Sequence, residues 1–258
     1  VTALSIAFRS VDDLALAAEL VRDAGELAAR MLRDGLTVHH KTSISDVVSA
    51  ADHAAEELVV RRLRAERPDD GIVGEEGTSD AGRTARTWYV DPVDGTYNFL
   101  TGLPVWCAAI ALDDALGAVY QPRTDELWVG GPDAATTLNG AALPRLVDRP
   151  LADLSLATYL HPPALADATR REPWLRVVAG SATVRMLGSG SVEMAAVATG
   201  RLGASLQVNT QPWDWLPGAA LVRGAGGATQ VVEREGHRWH ISGSQQAVAE
   251  IVALLAHA

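Results

Sequence analysis

Trp88-Tyr89-Val90-Asp91-Pro92-Val93-Asp94-Gly95-Thr96-Tyr97-Asn98-Phe99-Leu100 decides how the rest of this chain is read. An aromatic and β-branched run ends in a carboxylate, and Pro and Gly follow closely. The pattern predicts a short buried strand with Asp91 at its end and Asp94 on the turn beyond. Gly95 and Thr96 open a short helix through Leu100. Two carboxylates on one turn repel each other unless a cation lies between them. Hard oxygen ligands favour Mg2+, Mn2+ or Ca2+ as that cation. Backbone N–H groups at the start of the helix add an anion site beside the metal. A plainer reading has the aspartates capping the loop backbone through Asx-turns.

The composition narrows the partners. A chain of 258 residues is long for one domain, short for two, and can bury a sizeable core. Hydrophobic residues at 48% and charged residues at 21% fit an ordinary soluble globular protein. A net charge of −10 makes a nucleic-acid backbone a poor partner. It also disfavours an anionic substrate unless metals accompany the site. Cys107 is the only cysteine, so no intrachain disulfide forms, and its apolar surroundings make it a core residue. There is no basic segment followed by a long apolar one, and no apolar run approaches the roughly 20 residues of a membrane span. The expectation is a cytoplasmic protein with no membrane partner.

Upstream, residues 11 to 34 show helical periodicity, with Ser10 and Asp13 as a capping box and Gly35 as a stop. Leu36 to Lys41 reads as a strand whose neighbouring His39 and His40 face opposite ways and are structural. Ser49 is the N-cap of the next helix, with Asp52 in its first turn, and the helix ends before Pro68. Ile72 and Val73 form a short strand from which Gly74 turns the chain, so that Glu75 and Glu76 project. Residues 77 to 86 read as an exposed, mobile loop.

Downstream, strands are expected at Pro104 to Leu112, Ala118 to Tyr120, Leu127 to Val129 and Leu154 to Tyr159, with a turn at Asn139-Gly140. The region from His161 to Trp174 has no assignable structure. Gly188-Ser189-Gly190-Ser191 precedes a helix from Val192 to Thr199 and leaves backbone amides open to a polar ligand. Ala204 to Val208 is a strand. Asp214 caps or begins a helix that Gly226-Gly227 ends, with Pro217 tolerated in its first turn. A hairpin at Thr229 to Glu233 and Arg238 to Ile241 and a final helix over Gln246 to Leu255 complete the chain.

Taken together, three segments resemble the inositol monophosphatase-like family of Mg2+-dependent, lithium-sensitive phosphomonoesterases. They are Asp91-Pro-Val-Asp94-Gly95-Thr96-x-Asn98-Phe99, the Lys41-x4-Asp46-x5-Asp52-x3-Glu56 stretch, and Trp213-Asp214-x-x-x-Gly218 with Ala225-Gly226-Gly227. The Glu75-Glu76 pair lies at the family's spacing ahead of the first segment. Gly224 stands where the family usually has Glu, and the connection before Asn139-Gly140 is short for the family.

The resemblance implies an α+β fold, an αβαβα layered sandwich of the inositol monophosphatase and fructose-1,6-bisphosphatase type. It implies a single catalytic domain, with a metal and phosphate half over about 1–145 and a substrate-side half over 146–258. It assigns metal ligation to Glu75, Asp91, Asp94, Asp214 and the main-chain carbonyl of Val93, and the phosphate to the amides of Gly95 and Thr96. Asp52, paired with the Thr96 hydroxyl, would orient and deprotonate the attacking water, and Lys41 would lie near the metals. Gly188, Ser189, Gly190, Gln207 and Asp214 would meet the substrate. The implied cofactor is Mg2+, two or three ions per site, with Mn2+ as a substitute and Li+ and Ca2+ as inhibitors.

The implied partners are a small phosphorylated metabolite and a second copy in a homodimer. Inositol monophosphatases have Glu where Gln207 stands, so the substrate is expected to be an inositol monophosphate bound with a different preference, or a related polyol or sugar phosphate. Histidinol phosphate and 3′-phosphoadenosine 5′-phosphate are alternatives within the same chemistry. A non-catalytic relative acting by binding is the alternative outside it.

Overall fold

The computed structural model describes the backbone of residues 2–35, 38–40 and 47–256, and the side chains of 13–35 and 50–256. The chain begins with α1 (Thr2–Asp34), a ribbon of β1 (Val38–His40) and β2 (Val47–Ser49), and α2 (Ala50–Glu66). Next come β3 (Gly71–Gly74), β4 (Ser79–Asp80), β5 (Thr87–Asp94) and the short α3 (Thr96–Thr101). A meander follows: β6 (Cys107–Leu112), β7 (Leu116–Gln121), β8 (Glu126–Gly131), β9 (Ala134–Leu138) and β10 (Ala141–Ala142). The second half holds β11 (Ser155–Thr158), α4 (Ala168–Gly180), β12 (Thr183–Arg185), α5 (Gly190–Ala198) and β13 (Ala204–Val208). It ends with α6 (Pro212–Gly224), β14 (Ala228–Arg234), β15 (His237–Gly243) and α7 (Gln245–Ala256).

The strands build two main sheets. The larger runs β10-β9-β8-β7-β6-β5-β3-β4, with β3 parallel to β5 and its other neighbours antiparallel. The smaller runs β12-β11-β13-β15-β14, with β11 parallel to both its neighbours. Helices α1 and α2 cover one face of the larger sheet; α5 and α6 fill the space between the sheets; α7, with α4 against it, covers the far face of the smaller sheet. This is the expected αβαβα sandwich.

Burial on both faces explains why β6 is apolar throughout rather than alternating. Its Ala108, Ile110 and Leu112 pack toward α1 and α2, while Cys107 and Ala109 pack toward α5 and α6. Cys107 is thus a core residue, as its surroundings predicted.

Several expectations are corrected. The first helix does not start at Ser10: it begins at Thr2 and runs through that position. Asp13 is therefore not part of a capping box, and its buried carboxylate instead pairs with Arg67 and Arg86, each at 2.7 Å. Residues 77 to 86 are not a free loop. Ser79–Asp80 pairs with β3, Thr84 Oγ1 donates to Asp70 at 2.9 Å, and Arg86 binds Asp70 and Asp13. The stretch without assignable structure contains the start of α4, whose N-cap is Asp167 and which continues past Pro173. Ser49, His39 and His40 have side chains outside the described set. No described helix is long and apolar enough to cross a membrane.

Candidate functional site

The carboxyl end of β5 is the centre of the site. The strand reaches Asp94 rather than stopping at Asp91, and its register with β6 shifts between these residues. The irregularity belongs to the Pro92 insertion, since proline cannot donate to the ladder. The backbone N–H of Val93 donates to Asp91 Oδ1 at 3.2 Å, so the Asx-turn reading is realised at Asp91 alongside a second arrangement. One oxygen each of Asp91, Asp94 and Asp214 lie within 4.8 Å of one another. Asp214 reaches this group from the first turn of α6, where its Oδ2 also accepts the N–H of Gln211 at 3.2 Å.

Three acids this close carry an electrostatic cost. Burial raises the Asp91 carboxyl well above its usual range, and Glu75, Asp94 and Asp214 push it further. Asp94 is raised by burial, with the Ser191 N–H, donating at 2.5 Å, acting against the rise. Burial and Asp94 bring Asp214 up to about 7. Buried carboxylates with raised proton affinity and only oxygen atoms to offer suit a hard divalent cation, which would replace their protons. Glu75 hydrogen-bonds Asp91 and lines the same cleft, but stands beside the three-acid group rather than within it. Glu76 faces His53 Nδ1 at 3.6 Å.

Beyond Asp94 the chain turns at Gly95, whose φ of 95° begins α3. A Cβ at Gly95 would lie 3.0 Å from the Val105 carbonyl oxygen and 3.1 Å from that of Gly188, so conformation and space both require glycine. Thr96 Oγ1 contacts the Val93 carbonyl at 3.0 Å and Asp52 Oδ1 at 3.4 Å. Asp52, fully buried in the first turn of α2, is thereby brought beside the β5 turn. Asn98 Nδ2 donates to the carbonyls of Val105 and Leu187, both at 2.7 Å, and ties α3 to the segment before α5.

A cleft of about 1090 Å3 opens from this centre, and Gly188, Ser189, Gly190, Gln207 and Asp214 all line it. The Ser189 hydroxyl accepts the Val192 N–H at 3.5 Å, capping α5, and also faces the Asp94 carboxylate. Tyr159, His161 and Met186 also line the cleft and were not anticipated: Tyr159 ends an expected strand with nothing local to mark it as a site residue, and His161 and Met186 lie in segments without a ligand-binding pattern. Glu193 was also missed: it lies in an apolar helix, where an isolated acid reads as a surface residue. Glu56, whose sequence position gives no sign of a role, binds the backbone beyond Glu75 through the Glu76 and Thr78 N–H groups. Lys41 lies outside the described residues.

The sequence pattern of the inositol monophosphatase family matches residues 11–255. A Rhizobium meliloti protein named inositol-1-monophosphatase is 35% identical over 214 residues, which cover 81% of this chain and 78% of that one. A Xylella fastidiosa protein named Nus factor SuhB is 32% identical over 215 residues, covering 80% and 77%. The crystal structure of the extragenic suppressor protein suhB from Bartonella henselae superposes with a TM-score of 0.85 at 28% identity, across 95% of this chain and 98% of that one. Sequence match, fold and the grouping of acids at the end of β5 agree: this chain belongs to the inositol monophosphatase family.

Proposed function

We propose that the chain is a Mg2+-dependent phosphomonoesterase that hydrolyses a small phosphorylated metabolite, an inositol monophosphate or a related polyol or sugar phosphate. The observation that carries this reading is the approach of Asp91, Asp94 and Asp214 to within 4.8 Å, next to the contact between Asp52 and Thr96. Glu75, Asp91, Asp94, Asp214 and the Val93 carbonyl would hold the metal. When bound, Mg2+, or Mn2+ in its place, supplies Lewis-acid charge to the phosphoryl oxygens and lowers the pKa of coordinated water.

The protein's own groups divide the remaining work. Thr96 has one hydroxyl proton, and the shorter of its two contacts is to Val93 O. Committed there, the hydroxyl presents a lone pair that orients water, and Asp52 accepts the water's proton. The amides of Gly95 and Thr96 would bind phosphoryl oxygens. Gly188, Ser189, Gly190 and Gln207 would meet the leaving group. The chain would act as a single catalytic domain within a homodimer.

Phosphate release tests the reading. The panel is inositol 1-phosphate, histidinol phosphate, fructose 1,6-bisphosphate, glycerol 2-phosphate and 3′-phosphoadenosine 5′-phosphate, each with Mg2+ or a chelator. The cleft volume keeps the nucleotide in the panel. Metal-dependent release, strongest from a polyol phosphate and lost in Asp94→Asn, supports the proposal. Relatives named Nus factor SuhB favour a second reading, a regulatory binding role. Folded, metal-loaded protein that releases no phosphate from any compound would select it.

A further inference from the structure

Glu193 stands on α5, just past the N-cap Ser189, and is 1% exposed. Its Oε1 accepts the N–H of Leu187 at 2.7 Å. Its Oε2 is buried and has no hydrogen-bond partner among the described residues. Burial brings the carboxyl up to about 7, Asp94 adds to the rise, and the Gln207 side chain acts against it. Buried polar atoms are nearly always paired, so an unpaired carboxylate oxygen in the wall of a cleft calls for an explanation.

Gln207 supplies one. It extends from β13 into the same wall, and its amide lies against Gly190, where a Cβ would sit 2.7 Å from Nε2 and 3.2 Å from Oε1. The absence of a side chain at Gly190 is what leaves the amide its place. A glutamine amide is two-sided: Oε1 accepts and Nε2 donates. Which side faces the cleft decides whether a ligand is read as donor or acceptor. In the ionised form of Glu193, which the Gln207 side chain favours, the carboxylate oxygen draws Nε2 toward itself and leaves Oε1 for the ligand.

We propose that Glu193 is a positioning residue that holds the Gln207 amide with Nε2–H toward its Oε2, so that Gln207 Oε1 receives a hydroxyl or ammonium donor on the leaving group of the phosphomonoester. The proposal rests on the phosphatase reading and narrows it. A leaving group that offers a donor at this point is selected over one that offers none. The competing account is that Glu193 only anchors the Leu187 backbone, in which case every substrate suffers alike.

The test compares kcat/KM for inositol 1-phosphate, rich in donors, with phenyl phosphate, which has none on its ring. Glu193→Gln keeps an acceptor for Leu187 N–H but can turn a second amide donor toward Gln207. The ratio of the two kcat/KM values is expected to fall about tenfold, the worth of one hydrogen bond, chiefly through KM for the inositol compound. Gln207→Leu, at a partly exposed position, should produce a similar fall, and adding Glu193→Gln to it should move the ratio no further.

An equal loss on both substrates in Glu193→Gln, or a full Glu193→Gln effect in the Gln207→Leu background, overturns the proposal. Should Glu193→Gln fail to fold, an unmoved ratio in Gln207→Leu overturns it alone. Wild-type protein that releases phosphate with Mg2+ from neither of these nor from any other compound of the panel overturns the phosphatase reading as well. Release from both with a ratio indifferent to the variants overturns only the role of Glu193.

Discussion

The Glu56 carboxylate receives the Thr78 hydroxyl at 2.7 Å and the Thr78 N–H at 3.1 Å, and the Glu76 N–H reaches its other oxygen at 2.8 Å. Gly74 makes this possible, since a Cβ there would collide with the carboxylate. Glu56 lies one helical turn beyond Asp52, so α2 holds both Asp52 and the turn that carries Glu75. Charge-assisted bonds to a buried carboxylate are the stronger kind. Glu56→Gln is expected to lose about 1–3 kcal/mol of stability and to bind Mg2+ more weakly, because the Glu75 turn loosens. Thermal unfolding and a metal titration check the two effects separately.

The acid centre gives a signed pH dependence. Asp91, Asp94 and Asp214 all have folded-state proton affinities above their unfolded ones, with Asp214 at about 7. Each contributes stability that is complete below about pH 4, the unfolded carboxyl range, and is lost as pH rises through its raised folded-state value, about 7 for Asp214. His240 works in the opposite direction: burial lowers it to about 4, so its contribution is lost as pH falls from about 6.5 through 4. His240 acts alike with and without metal and cancels in a difference. The gain in Tm from saturating Mg2+ over chelator should therefore widen from pH 5 to pH 8. A constant gain would show that the acids do not bind the ion.

Asp13 is a separate structural clamp. It joins α1 to Arg67 and Arg86, and Arg86 also holds Asp70, which accepts Trp88 Nε1–H at 3.1 Å. Removing the shared acid leaves two part-buried guanidiniums without it. Asp13→Ala should cost about 2–4 kcal/mol, measured by denaturant unfolding, while kcat at a temperature well below Tm stays within about twofold. A large loss of kcat in folded protein would count against a purely structural role.

Thr96→Val removes the hydroxyl between Val93 O and Asp52 and keeps the shape. On the proposed mechanism kcat falls by about 10²-fold or more, the scale of lost general acid–base support, with Mg2+ affinity little changed. Equal losses in metal affinity and turnover would place Thr96 in metal retention instead.

The parts of the site legible in the sequence are those made by local chemistry. A strand entering Pro92 and Gly95 gives Asp91 and Asp94 their places, and the start of α6 gives Asp214 its own. The order of elements is visible because helical periodicity is strong in α1 and α7, and because the apolar run of β6 is short and bounded by turn residues. What was not legible depends on contacts far along the chain. Glu56 finds its donors 20 and 22 residues on, and Arg86 finds Asp13 at a separation of 73. Helix α4 was hidden by Pro162, Pro163 and Pro173, which read locally as breakers although Asp167 caps it and tertiary packing sustains it. Glu193 shows the same limit, since only the fold reveals that its helix is buried.

The central claim is that Asp91, Asp94 and Asp214 form one divalent-metal centre. Its most direct test is a Mn2+ titration of chelator-stripped protein, followed by electron paramagnetic resonance, on wild type and Asp94→Asn. The account predicts saturable Mn2+ binding by the wild type, competed by Mg2+, and at least about tenfold weaker binding in the variant, since outer-shell changes alone already cost 10–100-fold. Folded wild type that leaves all Mn2+ free, or an Asp94→Asn variant that binds it as tightly, would contradict the account.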